Sequence, residues 1–135
     1  MKKRIRDSFA RQSMMTTFGA RVDEISEGRV VLSAPILETA LQQQGAAHAA
    51  LSFALGDSAA GYAALTLIPA DQDVMTAEMK INLLAPARGE RLRAVGRVVK
   101  PGRRLIIVSA DVYALEGAKE THVALLQGTM VPVAI

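Results

Sequence analysis

The sequence predicts an α+β protein in which an antiparallel sheet of about five to six strands wraps around one long central helix, with a short helix at the N-terminus. A run of small and apolar residues, about 47–65, is the only strong candidate for a long helix. Four strand-like stretches follow it, and a shorter pair joined by a turn precedes it. We expect a single domain over residues 1–135, because this length and an apolar fraction of 50% suit one core.

The N-terminal segment is predicted to form an amphipathic helix, because Ile5, Phe9 and Met14 recur roughly at helical spacing among basic residues. The periodicity then changes to that of strands. Residues 20–35 indicate a β-hairpin, with a Ser-Glu-Gly turn in the middle and a proline at the end of the second strand. Residues 36–45 are expected to form a polar connection to the central helix.

The central helix is expected to be buried on all sides, because small and apolar residues surround it. The stretches after it are separated by proline- and glycine-containing turns. The four predicted strands are 74–84, 91–100, 105–115 and 121–133. A hairpin, a buried helix and four antiparallel strands together give a sheet that can enclose the helix.

The composition excludes several kinds of site. The chain has no cysteine, which excludes disulfides, zinc–thiolate sites, iron–sulfur clusters and cysteine nucleophiles and favours the cytoplasm. His48 and His122 lack the spacing of metal ligands, so no metal is expected. Few aromatic residues and no binding motif argue against nucleic acid as a partner. A membrane partner is not expected either, because no segment approaches about 20 apolar residues and the N-terminus lacks the apolar core of a signal peptide.

The net charge of +3 is unevenly distributed, and one basic segment lies between residues 88 and 104. Its cations are Arg88, Arg91, Arg93, Arg97, Lys100, Arg103 and Arg104. Strand alternation would place some of these guanidinium groups on one edge of a sheet, which suits a polyanionic ligand such as a nucleotide phosphate. The alternative is a solvated sheet face.

Asp57 is the only formally charged side chain between Glu38 and Asp71, and it lies in the middle of the predicted buried helix. An ionised carboxylate in such a place is costly to desolvate unless it is paired, hydrogen-bonded or raised in pKa. A carboxyl group in that condition is a candidate general base or nucleophile. We therefore place the chemistry at Asp57.

The residues before Asp57 resemble the motif of a known family. The segment is Gln42-Gln43-Gln44-Gly45-Ala46-Ala47-His48-Ala49-Ala50. It is similar to the Asn-x-x-Gly-x-x-His-Gly-Gly motif, followed by an acidic residue, of the phenylacetate-degradation (PaaI-like) acyl-CoA thioesterases of the hotdog superfamily. The likeness extends over about residues 18–131. It implies the hotdog fold and the hydrolysis of an acyl- or aryl-CoA thioester to free acid and CoA, with no separate cofactor.

The resemblance also implies roles for individual residues. The backbone N–H groups of Ala49 and Ala50 would hold the thioester carbonyl oxygen at the positive end of the helix dipole, and Gln42 would contact the same carbonyl. Asp57 would activate a water molecule or attack directly, and Thr76 would orient the water. The other residues expected at the substrate are Gly45, His48, Arg88, Lys100, Arg103 and Arg104, with His48 mainly tying the loop to nearby backbone and the cations contacting phosphates.

Helix geometry separates the two halves of this site. If the helix begins near His48, Asp57 lies about 14 Å further along the axis and about half a turn around it. One chain cannot place both residues on one reacting carbon. We therefore expect a homodimer with active sites at its interface, as the resemblance also implies, and the pairing of two dimers into a tetramer stays open.

The sequence departs from the family motif in two places. Ala49 and Ala50 replace the two glycines, and Gln42 replaces the asparagine. These departures keep a second interpretation open, that of a catalytically weak acyl-CoA-binding or regulatory hotdog protein. A hotdog hydratase or dehydratase is the other alternative, and it would need a histidine and an acid acting together.

Overall fold

The computed structural model describes all residues, 1–135. The elements in chain order are helices α1 (Lys2–Arg11) and α2 (Ser13–Phe18), strands β1 (Arg21–Ser26) and β2 (Arg29–Pro35), the 3-10 turn Glu38–Ala40, helix α3 (Ala49–Leu65), and strands β3 (Gln72–Leu83), β4 (Arg91–Pro101), β5 (Ile106–Glu116) and β6 (Lys119–Ala134). The long helix and all six predicted strands are confirmed, and no boundary differs by more than two residues.

The six strands form one antiparallel sheet in the order β1-β2-β4-β5-β6-β3. Helix α3 packs across its inner face, and Leu55 and Ala59 of this helix are fully buried in the core. The closest approach is at Gly96 of β4, where an added Cβ would lie 2.2 Å from the backbone of Ala59. Because only glycine allows this contact, the sheet can wrap closely around α3, as the fold class requires.

The N-terminal helix is divided in two, which the sequence did not predict. Gln12 lies between α1 and α2 with φ −85° and ψ 89°, outside the helical region. The break shifts the buried face, so that Ile5 and Met15 are buried while Met14 is 57% exposed. The prediction that Met14 continues the apolar face was therefore wrong. Arg4 holds α1 in place, because its guanidinium donates to the backbone carbonyl of Gln72 at the start of β3 and to that of Ile68 just before the strand.

Strand β3 lies at the edge of the sheet, and only one of its sides is paired, with β6. Two apolar side chains of this strand are exposed, Met75 at 62% and Leu83 at 60%. Phe53 of α3 is also exposed, so the prediction that this helix is buried on all sides was wrong for the single chain. A long edge strand with exposed apolar side chains is a surface that favours association. None of the helices combines the length and the apolar run needed to cross a bilayer.

Candidate active site

The loop that leads into α3 is fixed by its own backbone. Gly45 has φ +87°, a conformation that glycine adopts without strain. The Gln42 N–H donates to the Ala46 carbonyl at 2.8 Å, and the Ala47 N–H donates to the Ala87 carbonyl at 2.8 Å. The loop is therefore held against the connection between β3 and β4, and the two segments together form the walls of a cavity.

The side chain of Gln42 is oriented by this loop. Its Oε1 accepts from the Gln44 N–H at 2.6 Å and from the Ala46 N–H at 3.3 Å. Because the oxygen is engaged, the amide nitrogen of Gln42 keeps its two hydrogens for a ligand. Gln42 lines the cavity, so this nitrogen is a candidate donor there.

His48 caps the first turn of α3. Its Nδ1 accepts from the Ala50 N–H at 2.9 Å, which means that the neutral ring has its hydrogen on Nε2. The expected tie of His48 to nearby backbone is thus present. The prediction for Ala50 needs correction, because its N–H is already bonded and is not free for a substrate. The N–H of Ala49 makes no hydrogen bond within the protein and remains the backbone donor at this helix end.

The cavity beside this helix end has a volume of about 560 Å³. Its walls are the loop, the start of α3, residues 83–88 and Val123. Ser52, which is 2% exposed, lines the same cavity three residues after Ala49 and was not among the residues predicted for the site. Its helical spacing from Ala49 is the signal that could have identified it, because residues three apart lie on one helix face.

The cations of the basic segment are spread along β4 and around its two ends. Arg88 lies at the cavity and donates to the Gln44 carbonyl at 3.3 Å. Lys100 lies near the other end of β4, an 11-residue strand of about 35 Å, and Arg103 and Arg104 lie just beyond that end. The remaining arginines lie along β4, and each donates to a side chain. The pairs are Arg91 with Ser33, Arg93 with Glu120 and Arg97 with Asp111.

Asp57 lies in a second, smaller cavity of about 240 Å³. Its Oδ1 accepts from the Thr76 hydroxyl at 2.8 Å, and its Oδ2 has no hydrogen-bond partner. Burial raises the pKa of Asp57 above its usual 3.8, and the hydrogen bond from Thr76 opposes this rise. Thr76 lies next to a β-bulge, since the pairing of β3 with β6 shifts between Thr76 and Glu78.

The two cavities share no lining residue within one chain. The loop with Gln42 and Ala49 lies at one, and Asp57 with Thr76 lies at the other. The fold therefore keeps the two groups of predicted residues apart, as the spacing along the helix indicates.

A histidine–carboxylate pair is present on the sheet surface, outside both cavities. His122 Nε2 lies 3.0 Å from Asp111 Oδ1, and Arg97 binds the other oxygen of the same carboxylate at 3.1 Å. The carboxylate comes from the neighbouring strand, which explains why no acid is close to His122 in sequence. Because this pair lies outside both cavities, it does not supply the histidine and acid that a hydratase site would need.

Comparisons with known proteins show the family and the fold. Residues 44–121 match the family described as the thioesterase superfamily. A crystal structure of a thioesterase family protein from Silicibacter pomeroyi is 41% identical, covers 99% of this chain and 98% of its own, and superposes with a TM-score of 0.97. A Saccharolobus solfataricus protein named as a candidate esterase is 28% identical over 116 residues, 85% of this chain and 82% of its own. The PaaI protein of E. coli, from the phenylacetic acid degradation operon, is 18% identical over 96% of this chain and 90% of its own, with a TM-score of 0.86, a likeness of fold alone.

Proposed function

Because this chain belongs to the thioesterase superfamily, we propose that it is an acyl-CoA thioesterase of the PaaI-like type. It hydrolyses an acyl- or aryl-CoA thioester to the free acid and CoA. The observation on which the proposal depends is Asp57, a partly buried carboxylate with one unbonded oxygen. A raised pKa makes such a carboxylate a better proton acceptor than an ordinary aspartate, which is what a general base requires.

The carbonyl of the thioester binds in the larger cavity. The Ala49 N–H at the start of α3 and the amide nitrogen of Gln42 donate to its oxygen. Both donors are fixed before substrate binds, and the helix dipole adds positive potential at the same point. Negative charge that develops on the oxygen in the transition state is therefore stabilised without rearrangement of the protein.

Asp57 supplies the base. Its Oδ2 takes a proton from a water molecule while the water oxygen bonds to the carbonyl carbon. The tetrahedral intermediate then expels CoA as the thiolate, which receives the proton from Asp57. Thr76 donates to the other carboxylate oxygen and fixes the direction in which Oδ2 points. Direct attack by Asp57 on the carbonyl carbon is the alternative first step. It would break the C–S bond, release CoA as the thiolate and form a mixed anhydride, which water then hydrolyses to the free acid and the Asp57 carboxylate while the released proton goes to the CoA thiolate.

The complete site requires two subunits. In a symmetric homodimer the partner subunit's Asp57 faces the carbonyl bound at Ala49, and the arrangement is repeated once by symmetry. The unpaired side of β3 supports this assembly, because two β3 strands can pair across a two-fold axis and cover Met75 and Leu83. Pairing of two such dimers into a tetramer is compatible with this site.

The basic side chains that bind CoA phosphates come from both halves of the site. Arg88 lies at the cavity that holds the carbonyl. The hairpin with Lys100, Arg103 and Arg104 precedes Ile106, which pairs with Met130 close to Thr76. The hairpin therefore lies toward the Asp57 half, and in the dimer it reaches the site from the partner's side.

The pH dependence of activity tests the role of Asp57. Because burial raises the pKa of Asp57 and the base must be ionised, kcat/KM is expected to fall as the pH drops through a value above 3.8. Thr76→Val removes the bond that lowers this pKa, so the acid limb of the profile should move to higher pH. An acid limb that stays in place or moves to lower pH in Thr76→Val would contradict the assignment.

A thiol-release assay with aryl- and fatty-acyl-CoAs tests the proposed activity. Hydrolysis of at least one substrate above the rate without enzyme is expected. Binding of acyl-CoA without turnover would instead favour the acyl-CoA-binding protein, for which Ala49, Ala50 and Gln42 are the specific departures from the family motif.

A further inference from the structure

One buried polar side chain in the larger cavity has no partner in the protein. Ser52 is 2% exposed. A serine in a helix often donates to the carbonyl four residues earlier, but the Ser52 hydroxyl makes no hydrogen bond within the chain. Every fully buried polar side-chain atom of the chain has a partner, so the unbonded Ser52 oxygen reaches the open space of the cavity that it lines. The hydroxyl is therefore available to a ligand.

Ser52 lies one turn along α3 from Ala49 and on the same face of the helix. Three residues advance a helix by about 4.5 Å, and the Cα–Cβ bond points back toward the N-terminus. A carbonyl oxygen that accepts from the Ala49 N–H lies beyond the end of the helix, out of reach of the Ser52 hydroxyl. Ser52 therefore contacts a part of the ligand that is several bonds away from the reacting carbon.

The other side chains around this part of the cavity are apolar. Ala47, Leu83 and Val123 line it together with Ser52. A hydrocarbon segment placed against Ser52 would displace water from the hydroxyl and offer no hydrogen bond in return, which is unfavourable. An amide fits better, because it exchanges a hydrogen bond with the hydroxyl while its neighbouring methylene groups contact the apolar side chains.

An acyl-CoA carries an amide at a matching distance from its thioester carbonyl. In the pantetheine arm, two methylene groups separate the sulfur from the first amide, and each single bond is about 1.5 Å long. An arm whose carbonyl oxygen is at Ala49 can therefore bring this amide to Ser52, one helical turn away. The arm then continues toward the phosphates of CoA, and Arg88 lies at the same cavity.

We propose that Ser52 is a substrate-binding residue whose hydroxyl forms a hydrogen bond with the first amide of the pantetheine arm. The enzyme then recognises the carrier of the acyl group close to the reacting carbon as well as at its phosphates. The inference rests on the proposed function, since the arm enters this cavity only if the thioester carbonyl binds at Ala49. It concerns the carrier, and the acyl group and the bonds that break are the same with or without it.

The test compares two thioesters of hexanoic acid that differ in one group. The N-acetylcysteamine thioester keeps the first amide, and the S-pentyl thioester replaces it with hydrocarbon of the same length. Wild type should favour the amide in kcat/KM by about tenfold or more. In Ser52→Ala this ratio should fall by a similar factor, and kcat/KM for hexanoyl-CoA should fall with it. Ser26→Ala, an exposed change on β1, should leave both quantities unchanged.

The ratio of the two thioesters separates recognition of the amide from a structural role of Ser52. Because its hydroxyl bonds to nothing in the chain, Ser52→Ala should unfold at the same or a higher temperature. A lower unfolding temperature with equal losses on both thioesters would overturn the inference, because Ser52 would then support the fold. An unchanged ratio in Ser52→Ala would also overturn it, while hydrolysis by both proteins would leave the proposed function intact.

If no thioester is hydrolysed, the proposed function fails, and binding then decides the inference. Calorimetry gives the affinities of wild type and Ser52→Ala for hexanoyl-CoA. Binding that is about tenfold weaker in Ser52→Ala would support the contact with the amide. Equal affinities would overturn it.

Discussion

Replacement of Asp57 by asparagine is expected to lower kcat/KM for the best acyl-CoA substrate by about 10²–10⁴-fold, the usual loss when a general base is removed. Asparagine has almost the same shape and can still accept from the Thr76 hydroxyl, but it cannot take a proton from water. Thiol release under steady-state conditions measures the effect. A variant that retains most of the wild-type rate would exclude Asp57 as the base.

The loss should not come from unfolding. A carboxyl group whose pKa is raised in the folded protein favours folding below its usual pKa, and this contribution is lost as the pH rises through the raised value. Near neutral pH the buried charge of Asp57 is therefore unfavourable, and Asp57→Asn should unfold at the same or a higher temperature. Asp7→Asn is the matched control, because it removes an exposed carboxylate from a surface ion pair and should leave both activity and stability unchanged.

Replacement of Ala49 by proline is expected to lower kcat by about 10²–10³-fold, the loss found when one oxyanion donor is removed. Proline lacks the N–H that Ala49 offers to the carbonyl oxygen. The fold should tolerate the change, because Ala49 is the first residue of α3, where proline is favoured. His48 before it has φ −60° and ψ 142°, the conformation that a following proline requires.

Ala49→Gly is the control for this substitution. It keeps the N–H, removes the methyl group and restores the residue that the family motif has at this position. Activity equal to or above that of wild type is expected. If Ala49→Pro and Ala49→Gly have the same activity, the N–H of Ala49 is not part of the oxyanion site.

The elements of the fold were predictable because their signals are local. Turns rich in proline and glycine delimit the strands, and the unbroken small and apolar run defines α3. The break at Gln12 had no such signal, since neither proline nor glycine marks it. Its side chain bonds to Ser58 and Tyr62, which are far away in sequence, so only the folded chain reveals the reason for the break.

The candidate site was predictable where one residue type carries the information. Because Asp57 carries the only charge in an apolar helix, the sequence alone identified it as a candidate general base or nucleophile. The family resemblance implied only that Thr76 orients the water, and the bond from its hydroxyl to Asp57 is found in the folded chain. The engagement of the Ala50 N–H depends on the rotamer of His48, which sequence does not specify. For the basic segment, proximity in sequence does not give proximity in space, because the extended strand β4 separates Arg88 from Arg103 and Arg104.

If each active site is composed of residues from two subunits, inactive variants should restore activity by subunit complementation. Asp57→Asn and Ala49→Pro are each expected to be nearly inactive as homodimers. When equal amounts are unfolded together and refolded, half of the dimers should be mixed, and each mixed dimer has one site with both residues intact. About a quarter of the wild-type activity is therefore expected if Ala49 and Asp57 come from different subunits. A mixture as inactive as the two separate variants, although mixed dimers have formed, would contradict the two-subunit site.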